Sequence, residues 1–575
     1  MELSADLRSI QQARDFLEMA SKAQQIYKEF TQEQVDKIVK AMAEAGEAAS
    51  EKLAKLAVEN TKMGRFEDKI LKNKFATRNV YESVKDLKTV GIVHKSADGK
   101  VWEVAEPMGV IAALIPTTNP TSTALYKAII ALKSRNAIVM APHPKAILCT
   151  LESVNVVRDA AERAGAPKGL IHCMTEVSIV GTEELMRHKL TNVILATGSS
   201  AMVKAAQSTG KPAYGVGSGN VPSYVDRTAK LDKAIRDIIS SCSFDNGTLC
   251  STERSIIVDA PVKAQVLDLL KKYKAAFLSA EDTKKLEKYA VPGGKLNPDV
   301  VGQLAVKIAQ GAGISVPADT RVLVAEIQKV GKEDPLSMET LSPILSFFTV
   351  NGWQEGCERS MQILNFGGIG HTMSLHSSDE KVITEFALKK PAMRIVVNSM
   401  SSLGAVGFTT NLPPALTLGC GTWGGSITAD NITPVHLLNI KRIAFETREY
   451  TANWMGTSST KSISAKEETT VSKVKRPEPY LTPYKPKANR EVVEGKSTQV
   501  QPILTPVRTS EPVHSWIEEI EDRIRSKAGN VHPPKEEKPV AKPEIRTEAK
   551  PVKVTESLPI SDDSISNLIK KFSKS

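Results

Sequence analysis

Two spacings of apolar residues alternate along the first 450 positions of the chain. Residues 30–61 (FTQEQVDKIVKAMAEAGEAASEKLAKLAVENT) repeat apolar side chains at helical spacing. Residues 108–116, 136–142 and 192–198 are instead short, continuously apolar runs bounded by turn residues, as in strands that are buried on both faces. This alternation predicts an α/β protein built on doubly wound, parallel sheets.

A different pattern occupies residues 92–105, where two alternating segments flank an Asp98-Gly99 turn. Such a pattern predicts a two-stranded hairpin. A further strand-like segment, HLLNIKRIAF, follows at residues 436–445. Because an unpartnered hairpin is marginally stable, we expect this one to need additional partners.

The composition changes near residue 450. Residues 451–575 contain 13 of the 31 prolines but 3 of the 34 glycines, and they include stretches such as KRPEPYLTPYKPK. This composition buries too little apolar surface to offset the entropy of ordering, so we expect a disordered linker. Within it, amphipathic patterns at 513–528 and 561–573 predict two short helices, and a helix as short as the second is marginal alone in water.

Composition and charge exclude several classes of protein. The apolar fraction of 41% and the charged fraction of 25% are those of a soluble globular protein, and 575 residues favour two or three domains. No apolar run is long enough to span a membrane, and the N-terminal stretch MELSADLRSI lacks a signal pattern, so we expect a cytoplasmic protein. The net charge of +11 is not clustered in the body of the chain, which argues against nucleic acid as a partner.

Cys250 has the most unusual setting of the six cysteines. It lies in FDNGTLCSTE, residues 244–253, a polar segment that contains a tight Asp-Asn-Gly turn. The cysteines are scattered and none has a metal-binding spacing, so reduced thiols and no metal site are expected. Cys242, close by, is expected to pack in the core, as are the remaining four.

Two loops that follow predicted strands offer polar groups to a ligand. The backbone N–H groups of Gly198, Ser199 and Ser200 are suited to a phosphate at the N-terminus of a helix, although no G-x-G-x-x-G fingerprint is present. Asn119, in the loop PTTNPT, is best explained from this loop alone as a turn former before Pro120. The glycine-rich segment YGVGSGNVPS, residues 214–223, allows close approach to a ligand or simply a tight turn.

Taken in order, several motifs resemble the aldehyde dehydrogenase superfamily, and more narrowly its CoA-acylating members. They are IPTTNPTSTA, APHPKA, LATGSSAMVKAA, GVGSGNVP, FDNGTLCSTE, LSPIL, GGIGHTMSLH and NLPPALTLGCGTWGGS. The resemblance covers residues 1–450. It implies an NAD-binding, Rossmann-like domain at 1–240 that carries the hairpin, a catalytic α/β domain at 241–430 and an oligomerisation strand at 431–450.

The resemblance also assigns the chemistry. It makes Cys250 the nucleophile that attacks an aldehyde to form a thiohemiacetal. The side-chain amide of Asn119 and the backbone N–H of Cys250 would stabilise the oxyanion. Expulsion of hydride to the nicotinamide then leaves a thioester on Cys250. Cys420, in a glycine-rich stretch that borders the active site in the family, is the other cysteine of interest.

The fate of the thioester depends on a missing carboxylate. Hydrolytic members of the superfamily carry a glutamate on the glycine-rich segment, where this chain has Val216. Without that base, attack by water should be slow, and the resemblance names the thiol of coenzyme A as the acceptor. The reaction should therefore be reversible. Glu253 is the other candidate base, but we expect it to point away from Cys250.

The resemblance further predicts the cofactor site. Glu339 would bind the nicotinamide ribose, and Ser199 would face the pyrophosphate. The remaining residues expected to contact the cofactor are Thr117, Thr118, His143, Thr197, Gly198 and Gly217. Because His143 replaces an acidic residue of the hydrolytic enzymes, NAD is favoured but NADP is not excluded. His371 is either a pocket acid or a satisfied structural histidine, and we favour the structural role.

Several expectations about substrate and partners complete this reading. Acetaldehyde is the default substrate, with propionaldehyde and sulfoacetaldehyde as alternatives, and a scaffold protein that has lost the chemistry is the alternative class. A homodimer or tetramer is implied by the hairpin and the strand at 436–445. The tail resembles the encapsulation peptides that bind shell proteins and load such enzymes into bacterial microcompartments.

Overall fold

The computed structural model describes residues 4–448. The predicted tail helices at 513–528 and 561–573 and the predicted linker lie outside the described residues. No helix within residues 4–448 is both long and apolar enough to cross a membrane.

Sixteen α-helices and fifteen strands alternate through the described region, which confirms the predicted α/β class. The helices are α1 (Ala5–Tyr27), α2 (Gln32–Ala48), α3 (Ser50–Thr61), α4 (Phe66–Lys74), α5 (Val80–Val84), α6 (Pro120–Lys133), α7 (Ile147–Arg163), α8 (Ile179–Arg187), α9 (Ser200–Gln207), α10 (Leu231–Ser243), α11 (Lys263–Lys272), α12 (Ala280–Ala290), α13 (Ala305–Gly311), α14 (Trp353–Gly367), α15 (Glu380–Lys389) and α16 (Ser401–Gly404). The strands are β1 (Gly91–Lys95), β2 (Val101–Pro107), β3 (Val110–Ile115), β4 (Ala137–Pro142), β5 (Ile171–Cys173), β6 (Thr191–Thr197), β7 (Ala213–Val216), β8 (Val221–Val225), β9 (Glu253–Asp259), β10 (Ala275–Phe277), β11 (Val322–Glu326), β12 (Ile344–Val350), β13 (Gly370–His376), β14 (Ala392–Val397) and β15 (Leu438–Ala444).

The predicted N-terminal helical segment is divided into α2 and α3. Thr31 and Gln34 form a reciprocal capping box that begins α2 and satisfies two backbone donors. Its buried face carries apolar side chains at helical spacing: Val35, Ile38, Val39 and Met42. These residues belong to the core cluster that surrounds the first sheet. The helical prediction for residues 30–61 is confirmed.

The first large sheet has five parallel strands in the order β5-β4-β3-β6-β7. Every residue of β3 and β4 is buried, which explains their continuously apolar sequences. α6 is buried along its whole length, in the core cluster around this sheet. The strand order reverses direction at β3, so the carboxyl ends of β3, β4, β6 and β7 form the edge where ligands bind in doubly wound sheets.

The second sheet has seven parallel strands in the order β10-β11-β12-β9-β8-β13-β14. Separate apolar clusters include side chains from its strands, one with α10 and one with α14 and α15. The chain changes sheet within residues 217–220, which is earlier than the domain boundary predicted at residue 240. β8 and α10 therefore belong with the second sheet, because β8 pairs with β9 and α10 shares a core with β9 and β12.

The predicted hairpin is confirmed as β1 and β2, which pair antiparallel with a bulge between Ile92 and His94. β15 pairs antiparallel with the other edge of β2, from Leu438 opposite Pro107 to Ala444 opposite Val101. The hairpin and the later strand therefore form one three-stranded sheet, and β1 and β15 are its two edges.

Candidate active site

One cavity of about 1040 Å³ collects the residues predicted from the sequence. It lies at the carboxyl ends of the first-sheet strands and extends to the loop that follows α10. All ten predicted site residues line it: Thr117, Thr118, Asn119, His143, Thr197, Gly198, Ser199, Gly217, Cys250 and Glu339. Strand ends that are far apart in sequence meet here because parallel strands place their carboxyl ends at the same edge.

Cys250 is half-buried, whereas the other five cysteines are buried. Burial, and then the nearby carboxylate of Glu339, raise the pKa of the Cys250 thiol to about 12, and Arg394 opposes this shift. Cys250 therefore rests as a neutral thiol. It is accessible from the cavity but needs to lose its proton before it reacts.

The turn before Cys250 is strained. Asp245 and Asn246 both adopt left-handed backbone conformations, with φ of 47° and 52°. The strain is held by hydrogen bonds, since Asp245 Oδ1 accepts from Arg65 N at 2.7 Å and Asn246 Nδ2 donates to Gly302 O at 2.9 Å. Non-glycine residues persist in this conformation only where their surroundings dictate it, and such sites often carry function.

Asn119 is the residue immediately before α6. Its Nδ2 donates to Thr248 O at 3.2 Å and to Thr118 Oγ1 at 3.1 Å, and its Oδ1 accepts from Lys72 Nζ. Thr248 is two residues before Cys250, so the carboxamide lies beside the segment that carries the nucleophile. Both N–H groups of the amide are engaged, so an oxygen on a carbon bonded to Cys250 would accept from Nδ2 in place of one of these two partners.

A buried charged cluster lies behind Asn119, and sequence reasoning did not identify it. Lys69 and Lys72 of α4 both pair with Asp245, and all three side chains are at most 4% exposed. Burial lowers the pKa of Lys72 to about 8, although Asp245 opposes the shift. Burial alone would raise the pKa of Asp245, but the two lysines outweigh it and hold that pKa below its ordinary value.

Glu339 faces the cavity from the loop before β12. Its Oε1 accepts from Gly219 N at 3.1 Å. Burial raises the pKa of Glu339 to about 7, with Arg254 opposing. One oxygen of the carboxylate is thus held by a backbone N–H group, and Glu339 lines the cavity.

The position of the hydrolytic glutamate holds an apolar side chain. Val216 is the last residue of β7, is buried and lines the cavity. Glu253 does not replace the missing base, because it is fully buried and its Oε1 accepts from Ser401 N at 2.8 Å. Among the described residues that line the cavity, the carboxylates are Glu339 and Glu183, and Glu183 is paired with Arg187.

Polar groups at the end of β6 and at the start of α9 line another part of the cavity. Ser199 caps α9 by accepting from Met202 N at 3.3 Å, which leaves the first turn of the helix facing the cavity. A Cβ on Gly217 would lie 3.1 Å from Ser200 Oγ, so glycine keeps the chain close to this helix. His143, at the end of β4, is exposed, and its Nδ1 accepts from Lys145 N at 3.1 Å. These features fit the dinucleotide that the sequence predicts.

His371 is only partly explained as a structural residue. The ring is fully buried, its Nδ1 lies 2.9 Å from Thr372 Oγ1, and its Nε2 has no hydrogen-bond partner within the described region. Burial lowers the pKa of His371 to about 3, so the ring is neutral. The structural role predicted for His371 is therefore met at Nδ1, which has a hydrogen-bond partner, and not at Nε2.

Cys420 and Cys242 differ in their surroundings. Cys420 is buried next to Arg394, which donates to the neighbouring Gly419 O at 2.6 Å. The positive charge of Arg394 also lowers the pKa of Cys250. Cys242 packs in the core under the second sheet, as expected. No group of three or more metal-ligating side chains occurs between residues 4 and 448.

Comparison with known proteins places these features in one family. A sequence model of the aldehyde dehydrogenase family matches residues 5–291. The bifunctional aldehyde-alcohol dehydrogenase of Escherichia coli K12 is 41% identical over 433 residues, which are 74% of this chain and 49% of that protein. The chain thus spans about half the length of that curated relative.

Solved structures match the described fold. An acetylating aldehyde dehydrogenase from Geobacillus thermoglucosidasius is 50% identical, with a TM-score of 0.77 over 78% of this chain and 100% of that one. A propionaldehyde dehydrogenase from the fucose utilisation bacterial microcompartment of Clostridium phytofermentans is 28% identical, with a TM-score of 0.68 over 75% of this chain and 97% of that one.

Proposed function

The chain belongs to the aldehyde dehydrogenase family, and we propose that it is a CoA-acylating member that converts an aldehyde, CoA and NAD reversibly to acyl-CoA and NADH. One observation carries the proposal. The cavity presents Cys250 beside Asn119 while Val216 occupies the position of the hydrolytic base. A covalent acyl-enzyme can form there, but no carboxylate at that position can activate water to release it.

Cys250 and Asn119 perform the first half of the reaction. The Sγ of Cys250 loses its proton to solvent and bonds to the aldehyde carbon, and the electron pair of the broken carbonyl π bond moves to the oxygen, which becomes an oxyanion. The Nδ2 of Asn119 and the backbone N–H of Cys250 donate to that oxygen. NAD, when bound, supplies the acceptor for the hydride that leaves the same carbon as the thioester forms.

The second half of the reaction transfers the acyl group. The thiol of CoA attacks the thioester carbon, the same two donors stabilise the oxyanion, and the bond to Cys250 breaks. One thioester replaces another, so the equilibrium is nearly balanced and the reaction runs in both directions. Glu339, Ser199, Thr117 and Thr118 hold the cofactor, and the residue at the end of β4 is His143, which leaves NADP open beside NAD.

The decisive assay is formation of NADH from acetaldehyde with and without CoA. We expect continuous turnover only with CoA, and no turnover in either direction for Cys250→Ala, which should still bind NAD. Robust NADH formation without CoA would support a hydrolytic enzyme instead. No turnover under any condition would support the scaffold alternative.

The acyl group requires a separate measurement. Acetaldehyde remains the default, and the acetylating and propionaldehyde-specific names of the similar proteins support short aldehydes. A comparison of kcat/KM for acetaldehyde, propionaldehyde and sulfoacetaldehyde ranks these candidates. A preference for sulfoacetaldehyde would reveal an anion pocket that no single cavity residue identifies.

We further propose that the protein is a homo-oligomer. β1 and β15 are open edges of the three-stranded sheet, and Ile92, Ile443 and Phe445 expose apolar surface near them. The unpaired N–H and C=O groups of an open edge can pair with a strand of another chain. Light scattering on the purified protein should give a dimer or a tetramer.

We also propose that the C-terminal segment directs the enzyme into a bacterial microcompartment. It is supported by the amphipathic pattern at 561–573 and by the microcompartment origin of one similar structure. Residues 555–575 fused to a fluorescent protein should form foci in cells that make shell proteins. Uniform fluorescence in those cells would count against it.

A further inference from the structure

Lys72 is not used in the scheme above, yet its ammonium group contacts the proposed oxyanion donor. The side chain is 4% exposed, and its Nζ donates to Asn119 Oδ1 and to Asp245 Oδ2. It also lies 3.4 Å from Thr248 Oγ1. Fully buried lysines are rare because desolvation of the ammonium is unfavourable. A buried lysine beside the amide that is proposed to bind the oxyanion therefore requires an explanation.

Charge neutralisation of Asp245 does not provide that explanation. Lys69 Nζ is already 3.1 Å from Asp245 Oδ2, and Thr248 Oγ1 donates to the same oxygen at 2.6 Å. The other oxygen, Oδ1, accepts from Arg65 N at 2.7 Å. The carboxylate would thus stay paired and hydrogen-bonded without Lys72, so the second lysine exceeds what the aspartate needs.

The contact with Lys72 determines which way the Asn119 carboxamide faces. An ammonium group can only donate hydrogen bonds, so the amide atom that faces it must be the oxygen. On the other side, Thr248 O can only accept, so the facing atom must be the nitrogen. Two independent partners therefore orient the amide with its N–H groups toward the segment that carries Cys250.

We propose that Lys72 is a positioning residue that acts through Asn119. It locks the carboxamide with Nδ2 toward the thiohemiacetal oxygen, and its positive charge on the amide oxygen strengthens the opposing N–H donors. Hydrogen bonds in a chain polarise one another, and a charged first member increases the effect. The inference rests on the proposed function, in which Asn119 stabilises the oxyanion.

The neighbouring charges are consistent with a protonated Lys72 at neutral pH. Burial and then Lys69 lower its pKa, Asp245 and Asp68 raise it, and the resulting pKa of Lys72 is about 8. Asp68 lies on α4 with the two lysines, and its Oδ2 accepts from Asp245 N at 2.8 Å. Lys72 thus keeps its charge below pH of about 8.

A double-mutant cycle tests the proposal. Wild-type activity is measured first, because a wild type without CoA-dependent turnover refutes the proposed function itself. Lys72→Met should then lower kcat/KM for the aldehyde by about thirtyfold or more, and Asn119→Ala by roughly a hundredfold or more. The double variant should be no worse than Asn119→Ala within about threefold, since Lys72 has nothing to act on once the amide is gone.

Two further readouts separate positioning from a general structural effect. Alkylation of Cys250 by iodoacetamide needs no oxyanion, so its rate in Lys72→Met should stay within about threefold of wild type. The KM for NAD should also be unchanged. Lys69→Met is the matched control, because it removes a buried ammonium from the same aspartate, and Lys69 Nζ donates to the backbone oxygen of Thr118 at 3.2 Å and not to the Asn119 carboxamide. Its effect should be equal in both Asn119 backgrounds.

Three outcomes would overturn the proposal. They are losses from Lys72→Met and Asn119→Ala that multiply in the double variant, alkylation that falls as much as aldehyde turnover, and wild-type turnover in Lys72→Met. If Lys72→Met does not give a folded protein by thermal denaturation, Lys72→Gln, which removes the charge, replaces it in the same cycle under the same criteria.

Discussion

The proposed reaction depends on Cys250, and the surroundings of this residue hold its thiol in the neutral form. After burial, Glu339 is the largest contributor to the raised pKa of Cys250, and Arg394 opposes it. Glu339 itself has a pKa raised to about 7 by burial. The two groups are therefore coupled, so that protonation of the carboxylate makes the thiolate easier to form.

Glu339→Gln should make Cys250 more reactive in the free enzyme. Above pH of about 7, wild-type Glu339 is ionised and disfavours the thiolate, whereas below that pH it is neutral and resembles glutamine. We therefore expect iodoacetamide to alkylate the variant roughly three to ten times faster than wild type at pH 8, and equally fast at pH 6. NAD affinity should fall at both pH values.

Glu253→Gln is the matched control for that measurement. Burial raises the pKa of Glu253 to about 7 as well, but this carboxylate hydrogen-bonds to Ser401 and does not line the cavity. For Glu253→Gln, the rate of alkylation relative to wild type should be the same at pH 6 and at pH 8. A ratio for Glu339→Gln that does not change between pH 6 and pH 8 would contradict the coupling.

Val216→Glu should redirect the acyl group to water. The side chain at this position ends β7 and borders the cavity, so a carboxylate there can reach a water molecule near the thioester. We expect the ratio of free acid to acyl-CoA to rise by about tenfold or more, measured by mass balance at fixed CoA. Val216→Gln is the control, because it adds the same volume without a base. An unchanged ratio would show that the missing base is not what prevents hydrolysis.

At the scale of elements, the segment that joins β7 to β8 contacts both Cys250 and Glu339. Gly219 N donates to Glu339, and a Cβ on Gly219 would lie 2.1 Å from the carbonyl oxygen of Cys250 and 3.0 Å from His371 Nδ1. The segment that changes sheet therefore touches Cys250, Glu339 and His371 at one point. Only glycine allows this close approach.

Gly219→Ala should displace Cys250 while leaving the fold intact. The clash is with backbone, which cannot move aside as a flexible side chain would, so we expect kcat/KM to fall by about a hundredfold. Gly99→Ala is the control: it has a positive φ, has no atom within 4 Å of its Cβ and lies at the hairpin turn. It should cost about 1 kcal/mol of stability without changing turnover. Full activity in Gly219→Ala would refute the close-packing argument.

The strained turn of Asp245 and Asn246 is a second element that joins distant parts. Its Asp245 forms ion pairs with Lys69 and Lys72 of α4, and the turn ends four residues before Cys250 along the chain. The sequence shows the Asp-Asn-Gly turn but not its partners, because α4 precedes it by more than 150 residues. A pattern of turn residues reports local conformation and carries no information on long-range ion pairs.

At the scale of the whole molecule, every residue of the candidate site belongs to the first of two compact units, which spans Met1–Ser459. The described residues that line the cavity all lie between Leu114 and Gly367.

A chain that ends after Ser459 should keep full catalysis. We expect its kcat/KM for aldehyde, CoA and NAD to stay within roughly twofold of the full chain in solution. The same preparation should show an unchanged melting temperature for the main transition. Loss of CoA-dependent turnover in the truncated protein would assign the tail a catalytic role instead of targeting.

Much of the fold was predictable because burial leaves a local signature. The continuously apolar runs of β3, β4 and β6 and the alternating hairpin were assigned from their spacing alone, and the structure confirms them. The predicted domain boundary at residue 240 stays a prediction, and the sequence did not locate the change of sheet between β7 and β8, because that change depends on which strands pair. Strand pairing is decided by contacts between segments that are distant in sequence.

The sequence by itself determined the element types and the family, and it predicted Cys250 as the nucleophile, since these depend on spacing and on motifs carried within short segments. Only the tertiary structure decided how the site works: which side chains surround Cys250, that its thiol rests protonated, and that Lys72 and Asp245 lie behind Asn119. The physical reason is that charge interactions and desolvation depend on distance in space, and a sequence records only distance along the chain.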